Sequence, residues 1–510
     1  MTAAAGMAAG GWNRGYVSDV PYVVGYQPTQ TPPWLAAVCA LMGVAWEPRE
    51  RLAVGELGCG RGYTANVLAA ANPEWRVVGL DYNPAHVAEA RALAEEAGLA
   101  NATFLEADLA EMGDAEIDAL PEFDVVTLHG LWSWVSDAVR AGILRVLRRR
   151  LRPGGLAMVS YNAMPGFMGG HPVQRLVRTA AALDPAGGDS VERVERAMEL
   201  ARRLKAAGAA HLGEANRWAA IFLGAEQQPD PAYLAHEFLT DHWRPCFHAD
   251  VAAAMAEAKL DYVGSARLVE NFPELTLTPA QRALHDGMPE GPARELMKDL
   301  CLPRGFRSDV FVRGLRRAPR EPMLDGLVMV ALADKEEPKI AAETPLGEAA
   351  LPEGSAEPIL AALRAGPVRV GELRRLAPSG KVGAAELEAL LTAGGTALPA
   401  WRDGEPADGA AAARRFNLAA ARRYAAGGYG QKMFALASPV LGAGLPCGPL
   451  DLEVVARLAT GADWDAGGLA RALAPKGTTA EAVEEAEGRI EKLLRERSGP
   501  FRTHLGLGRA

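Results

Sequence analysis

The chain has 510 residues, room for roughly two to four domains. Hydrophobic residues make up 49% and charged residues 23%, which excludes a long disordered protein. A net charge of -9 excludes a global basic field that would gather nucleic acid.

Residues 1–10 read as a loose tail, too uncharged and too weakly apolar for a signal peptide. No stretch reaches the ~20 continuous apolar residues of a membrane span. The five cysteines (Cys39, Cys59, Cys246, Cys301 and Cys447) are scattered and form no CxxC pair. That pattern is neither a disulfide framework nor a zinc site, and it suits a reducing compartment. Cytoplasmic residence is the expectation. Residues 11–34 are rich in Tyr, Pro and Gly, and a helix is predicted from Leu35 to Met42.

Strands and helices then alternate. RLAVGEL (51–57), WRVVGLD (75–81), ATFLEAD (102–108), FDVVTLHG (123–130) and LAMVSYN (156–162) read as five short strands. Helices are predicted at 63–71, from Pro84, and at 136–151, where RPGG stops the last one. Such alternation argues for a parallel sheet covered on both faces. After Pro165 the pattern turns helical, through 172–227 and 248–259. LDYVGSARL (260–268) and SDVFVRG (308–314) are expected as strands six and seven of the same sheet, with 172–236 and 278–300 as helical insertions. An apolar run, LDGLVMVALAD (324–334), and a linker around 335–352 lead to a last domain. Its pieces 359–378 and 452–475 each read as helix, short turn, helix, in a winged-helix-like way. The expected partition is an N-terminal segment 1–34, a cofactor-binding core 35–165, a helical region with the last core strands 166–318, a connector 319–352, and a C-terminal domain 353–510.

Chemistry concentrates in ELGCGRG (56–62), which closes the first strand. Gly58, Gly60 and Gly62 allow a sharp turn and a close ligand, and the helix N-terminus that follows offers N–H groups to an anion. A dinucleotide fingerprint, GxGxxG, would need glycine at 63, where the chain has Tyr63. GxGxG behind the acidic Glu56 is the form found in methyltransferases. There the anion is the carboxylate of S-adenosylmethionine. Asp81 closes the second strand, where a carboxylate accepts both ribose hydroxyls; helix capping is its alternative role. Asp108, followed by Leu109, closes the third strand and would face the adenine amino group, or again act as a cap. His129 closes the fourth strand beside the expected methyl donor, as a base or as a structural donor. Tyr161 and Asn162 close the fifth strand and are candidates to orient the acceptor, against ordinary strand-end packing and turn capping.

Three segments carry a resemblance: VPYVVGYQPTQTPPWLA (20–36), HGLWSWV (129–135) and LRPGGLAMVSYNAMPGF (151–167). With 233–266 and 306–314 they resemble a bacterial group of class I methyltransferases that carry a methyltransferase regulatory domain. The resemblance spans about 16–314 in separate pieces. It implies a Rossmann-like, seven-stranded α/β sheet with S-adenosylmethionine as cofactor. Glu56, Gly58, Gly60, Asp81 and Asp108 map onto the cofactor motifs of that group. Tyr22 and Tyr26 fall in its aromatic N-terminal segment, either as a lid on the cofactor or as anchors on the core. Some members methylate protein lysines, so a protein lysine amine is the favoured acceptor. A small-molecule acceptor and a non-catalytic cofactor-binding role are the alternatives. No membrane or nucleic-acid partner is expected. The basic run Arg145–Arg152 reads as a solvated helix end, and His236, His242 and His248 share no helix face that would bind a metal.

Overall fold

Seven strands form one mixed sheet in the computed structural model, in the order β3-β2-β1-β4-β5-β7-β6. The structure describes residues 12–224, 229–332, 339–377, 382–404, 410–425, 427, 434–448 and 451–452, with single positions at 479, 484, 487 and 488. The strands are β1 (Ala53–Leu57), β2 (Arg76–Asp81), β3 (Ala102–Glu106), β4 (Phe123–Leu128), β5 (Leu151–Asn162), β6 (Leu260–Ser265) and β7 (Phe306–Arg313). The first five run parallel; β7 lies antiparallel to both β5 and β6. Strands six and seven thus come from the expected segments.

Helices cover both faces, so the central strands are apolar on both sides; every residue of β4 is buried. Helix α1 (Pro32–Met42) precedes β1. Between the strands lie α2 (Tyr63–Ala71), α3 (Pro84–Glu96), α4 (Asp114–Ala119) and α5 (Asp137–Arg150). Each start has a local cause. Asn83 caps α3 by accepting from the Ala85 amide, with Pro84 at the first position. Ser136 caps α5 by accepting from Val139. Strand order reverses at β1, which pairs β2 on one side and β4 on the other. The crevice at the carboxyl ends of those strands is where such sheets bind ligands.

The insertion between β5 and β6 has its own apolar core. Helices α6 (His171–Ala182), α7 (Ser190–Ala206), α8 (Arg217–Leu223) and α9 (Pro231–Leu239) bury Phe167, Phe222, Phe238 and Trp243 among them. Helix α10 (His248–Glu257) then returns the chain to the sheet.

The C-terminal region is mostly helical with small sheets. The apolar run expected in the connector supplies a strand, Val328–Ala331, at the centre of a three-stranded sheet. Its neighbours are Val368–Arg369 and Ala397–Ala400. The piece at 359–378 takes in most of helix Ala356–Ala365 and all of Val370–Leu376, around one of those strands, whereas most of 452–475 lies outside the described residues. Nor does this region stand apart from the core. The helix Ala410–Ala425 and the hairpin Phe434–Ser438/Ala443–Cys447 pack over α2, inside one continuous apolar cluster. Tyr63 Oη donates to the Ala435 carbonyl at 2.9 Å, and Asn72 Nδ2 to that of Gly442 at 2.9 Å.

Packing of α5 sets the loop after β3. A Cβ on Gly142 would lie 1.7 Å from the Leu109 carbonyl oxygen, so only glycine lets the helix approach that backbone. Gly142→Ala is expected to cost about 1–3 kcal/mol of stability through overpacking. It should also displace Asp108 and weaken S-adenosylhomocysteine binding, as melting curves and calorimetry would show.

Candidate active site

A cavity opens at the carboxyl ends of β1 to β4, lined by Gly58, Gly60, Asp81, Asp108, His129 and Trp134 among others. Its floor is the turn after β1. Gly58 and Gly60 have φ of 69° and 52°, a left-handed backbone that favours glycine. The amides of Gly58 and Cys59 both donate to the Leu80 carbonyl, at 2.7 and 3.0 Å, which locks the turn to β2.

Asp81 ties this corner together. Its Oδ2 accepts from the Gly60 amide at 2.8 Å, and its Oδ1 from the Asn83 amide at 2.9 Å. His86, on the first turn of α3, sits 3.2 Å from the same Oδ1 through Nδ1. Its Nε2 accepts the Tyr22 amide proton at 3.3 Å, so the Nδ1 proton faces the carboxylate. Oδ1 thus has both lone pairs engaged, whereas Oδ2 keeps one for a ligand hydroxyl, and Asp81 lines the cavity.

Residues 12–22 cross the cavity as a strap between the sheet and the helical insertion. On the sheet side, Arg14 Nη1 lies 3.1 Å from Asp108 Oδ2 and also bonds Glu111. Tyr82 donates to the Trp12 carbonyl, and the rings of Trp12 and Tyr16 each lie 5.8 Å from that of Tyr82. On the insertion side, the Asp241 amide donates to the Gly15 carbonyl at 2.9 Å. His242 Nε2 lies 3.0 Å from the Arg14 carbonyl, His236 Nε2 3.0 Å from the Val20 carbonyl, and Ser190 Oγ bonds Asp19 at 2.8 Å.

His129 faces the cavity as a neutral ring. Burial, with a smaller contribution from Arg267, holds its pKa down to about 4. Ser160 Oγ accepts the Gly130 amide proton at 2.7 Å and meets His129 Nδ1 at 3.1 Å. The serine proton is then available to Nδ1, which leaves Nε2–H as a donor toward the cavity. His236 is likewise held to about 4, mainly by burial.

Of the residues singled out from the sequence, Gly58, Gly60, Asp81, Asp108, Leu109 and His129 come together around the cavity. Tyr22 lines it too, whereas Tyr26 does not. Burial pushes the Tyr26 phenol well above its usual value. Its hydroxyl accepts the Gly444 amide proton at 2.7 Å, making it an anchor for the C-terminal hairpin. Gly62 also leaves the cavity: a Cβ there would meet that of Ala90 at 2.5 Å, so this glycine serves the packing of α2 on α3.

Tyr161 is corrected most clearly. It is fully buried, and its hydroxyl donates to Asp309 at 2.5 Å within an ion network below the sheet edge. A side chain on β5 points to one face or the other, and Tyr161 points away from the crevice. Asn162 is buried as well and donates to Glu237 at 2.5 Å, behind the cavity wall. Glu56 lies under the turn, where burial lifts its pKa to about 8. Its Oε2 is buried without a hydrogen-bond partner among the described residues. The unpartnered oxygen of Glu56 below the Gly58–Gly60 turn fits a ligand's ammonium group, and the free lone pair on Asp81 Oδ2 fits a ribose hydroxyl. The residues present therefore suit S-adenosylmethionine.

Sequence reasoning missed Arg14, Tyr16, Tyr82, His86, His236 and His242 as cavity residues, whereas Trp134, which the sequence leaves open between walling the pocket and packing, lines the cavity. One signal was available for His86, which shares the buried side of α3 with Val87, Ala90 and Leu93. A histidine on an apolar face directly after a ribose-type acid needs a polar partner.

The predicted methyltransferase regulatory domain family matches residues 230–313, and a methyltransferase domain family matches 54–155. The uncharacterized protein sll1526 of Synechocystis is 32% identical over 368 residues, covering 71% of this chain and 72% of that one. The trans-aconitate 2-methyltransferase of Methylobacterium nodulans is 33% identical over 132 residues, covering 26% of this chain and 45% of its own length. PKMT2 from Rickettsia typhi, solved in complex with AdoHcy, superposes with a TM-score of 0.68 at 17% identity. The match covers 95% of this chain and 100% of that one, and it establishes the likeness of fold.

Asp81→Ala should weaken S-adenosylhomocysteine binding roughly 10- to 100-fold, since hydrogen bonds to a charged group contribute about 1.5–3 kcal/mol. Calorimetry at constant pH measures this, and unchanged affinity would exclude the ribose role. His129 and His236 also predict acid lability. Both fold with a pKa near 4, below the unfolded value of ~6.5. Their stabilising contribution is therefore complete above ~6.5 and is lost as pH falls toward 4. His236→Asn should melt lower than wild type at pH 7, yet lose less between pH 7 and pH 5.

Proposed function

We propose, from the chain's membership of the S-adenosylmethionine-dependent methyltransferases that carry a methyltransferase regulatory domain, that its acceptor is the amine of a protein lysine. The cofactor supplies a methyl group already activated on a sulfonium. What remains for this chain is to bind, align and dry the reactants.

In this reading Asp81 holds the ribose, Asp108 the adenine side, and Glu56 the amino group. The strap, through Trp12 and Tyr16 against Tyr82, keeps water from the ribose end. His129, neutral and donating, holds a position at the end of β4 without acting as a base.

One observation carries the choice of acceptor. Among the described residues lining the cavity, Arg14 is the only Lys or Arg, and it is already paired with Asp108 and Glu111. The far wall is instead made of Tyr22, Trp134 and the neutral His129 and His236. A carboxylate-bearing acceptor such as trans-aconitate would call for free cations there. An amine on an apolar stem suits aromatic walls. The likeness to PKMT2, a protein-lysine methyltransferase, agrees with this choice. The second reading, a small-molecule acceptor, draws on the likeness to trans-aconitate 2-methyltransferases.

Purified protein incubated with methyl-labelled S-adenosylmethionine and cell extract tests the proposal. Label in macromolecules, released as methyl-lysine after acid hydrolysis, is expected. Label confined to small molecules would establish the second reading. S-adenosylhomocysteine binding with no transfer at all would indicate a non-catalytic role.

A further inference from the structure

Behind the aromatic wall lies a charged group that the methyl-transfer residues above leave unexplained. Glu237, on α9, is 2% exposed. Its Oε1 accepts from Asn162 Nδ2 at 2.5 Å and from Trp243 Nε1 at 2.9 Å, and its Oε2 from the Tyr233 hydroxyl at 3.3 Å. The Trp134 indole adds a further interaction that favours the ionised form. These partners are all neutral. Burial pushes the Glu237 pKa up while the donors pull it back.

A buried carboxylate held by neutral donors is costly unless something uses its charge. Two other buried acids, Asp309 and Asp299, both bond a cation, Arg307. Glu237 is set differently, next to the cavity. Its charge is felt at the Tyr22 hydroxyl, which burial first and then this carboxylate push well above the usual phenol value. The Tyr22 ring stands edge-on to Trp134 at 5.6 Å and to His236 at 5.0 Å, and all three line the cavity. Asn162, at the end of β5, fixes the carboxylate relative to the sheet.

We infer that Glu237 is the specificity-determining residue of the acceptor subsite: a buried negative charge that, through Tyr22 and Trp134, selects a cationic amine over neutral or anionic acceptors. The inference rests on the reading of this cavity as the methyl-transfer site. Glu237 acts as a positioning residue. It touches neither reactant: its field draws the acceptor in as an alkylammonium group against the two rings, and that group must give its proton to water before its lone pair takes the methyl from sulfur. Aromatic faces alone attract a cation weakly at exposed sites, and more strongly when water is excluded and a buried anion stands behind them.

The test uses the full chain saturated with S-adenosylhomocysteine and three probes of similar size: n-butylammonium, 1-butanol and butyrate. Ligand-observed NMR titration gives their affinities. The wild type is expected to bind n-butylammonium at least ten-fold tighter than 1-butanol, and butyrate weakest. Glu237→Gln should erase the preference for the cation while keeping its affinity for S-adenosylhomocysteine, and Glu237→Asp should restore part of it. A wild type without that order overturns the assignment however the variants fold. So does a Glu237→Gln protein that keeps it. Failure of the wild type to bind S-adenosylhomocysteine would overturn the reading of the cavity as well, whereas cofactor binding without cation preference sinks Glu237 alone.

Discussion

The Asp81 carboxylate is the constraint on which the rest of the site depends. One side chain accepts from the turn after β1, from the start of α3 and from His86. The turn cannot shift without losing the Gly60 bond, and the helix cannot shift without losing the Asn83 bond. Hydrogen bonds to an ionised acceptor are stronger than neutral ones, so the corner is rigid before any ligand arrives. His86 then carries that order outward, because its second nitrogen holds the backbone of Tyr22. Asp81 and the Tyr22 side of the cavity are thereby linked through a single imidazole.

The strap makes the same point on a larger scale. It has little secondary structure of its own, yet it is bonded on both sides. The sheet contributes Tyr82, His86, Asp108 and Glu111; the insertion contributes Ser190, His236, Asp241 and His242. The matched regulatory-domain segment thus forms part of the wall of the cavity. It is in turn pinned to the sheet by buried charges. Arg307 on β7 is 1% exposed and bonds Asp299, Asp309 and Glu295, while Tyr161 and His248 satisfy the remaining lone pairs of Asp309. Breaking one partner of such a set leaves an uncompensated buried charge, so the network specifies a single arrangement of insertion and sheet.

On the opposite face, the C-terminal hairpin grips α2 and Tyr26. The chain just before α1 is therefore held from the side away from the cavity, while Tyr22, four residues earlier, faces into it. Neighbouring aromatic residues of one segment serve as anchor and as wall.

The local pattern of this chain determined the parallel strands, the glycine turn, and the acids that end β2 and β3. Strand periodicity, turn glycines and strand-end carboxylates act over a few residues, and their physics can be read without the fold. The pattern at 260–268 and 308–314 likewise marked two more strands, though not that β7 would run antiparallel between β5 and β6. Only the tertiary structure decided that Tyr161 points into an ion network rather than the crevice, that Tyr26 meets Gly444, and that Glu237 stands behind Tyr22. These outcomes depend on which face of a strand a side chain takes and on partners as many as 418 positions away. Such long-range contacts are chosen by packing and by the need to satisfy every buried polar group, and neither condition is local to a stretch of sequence.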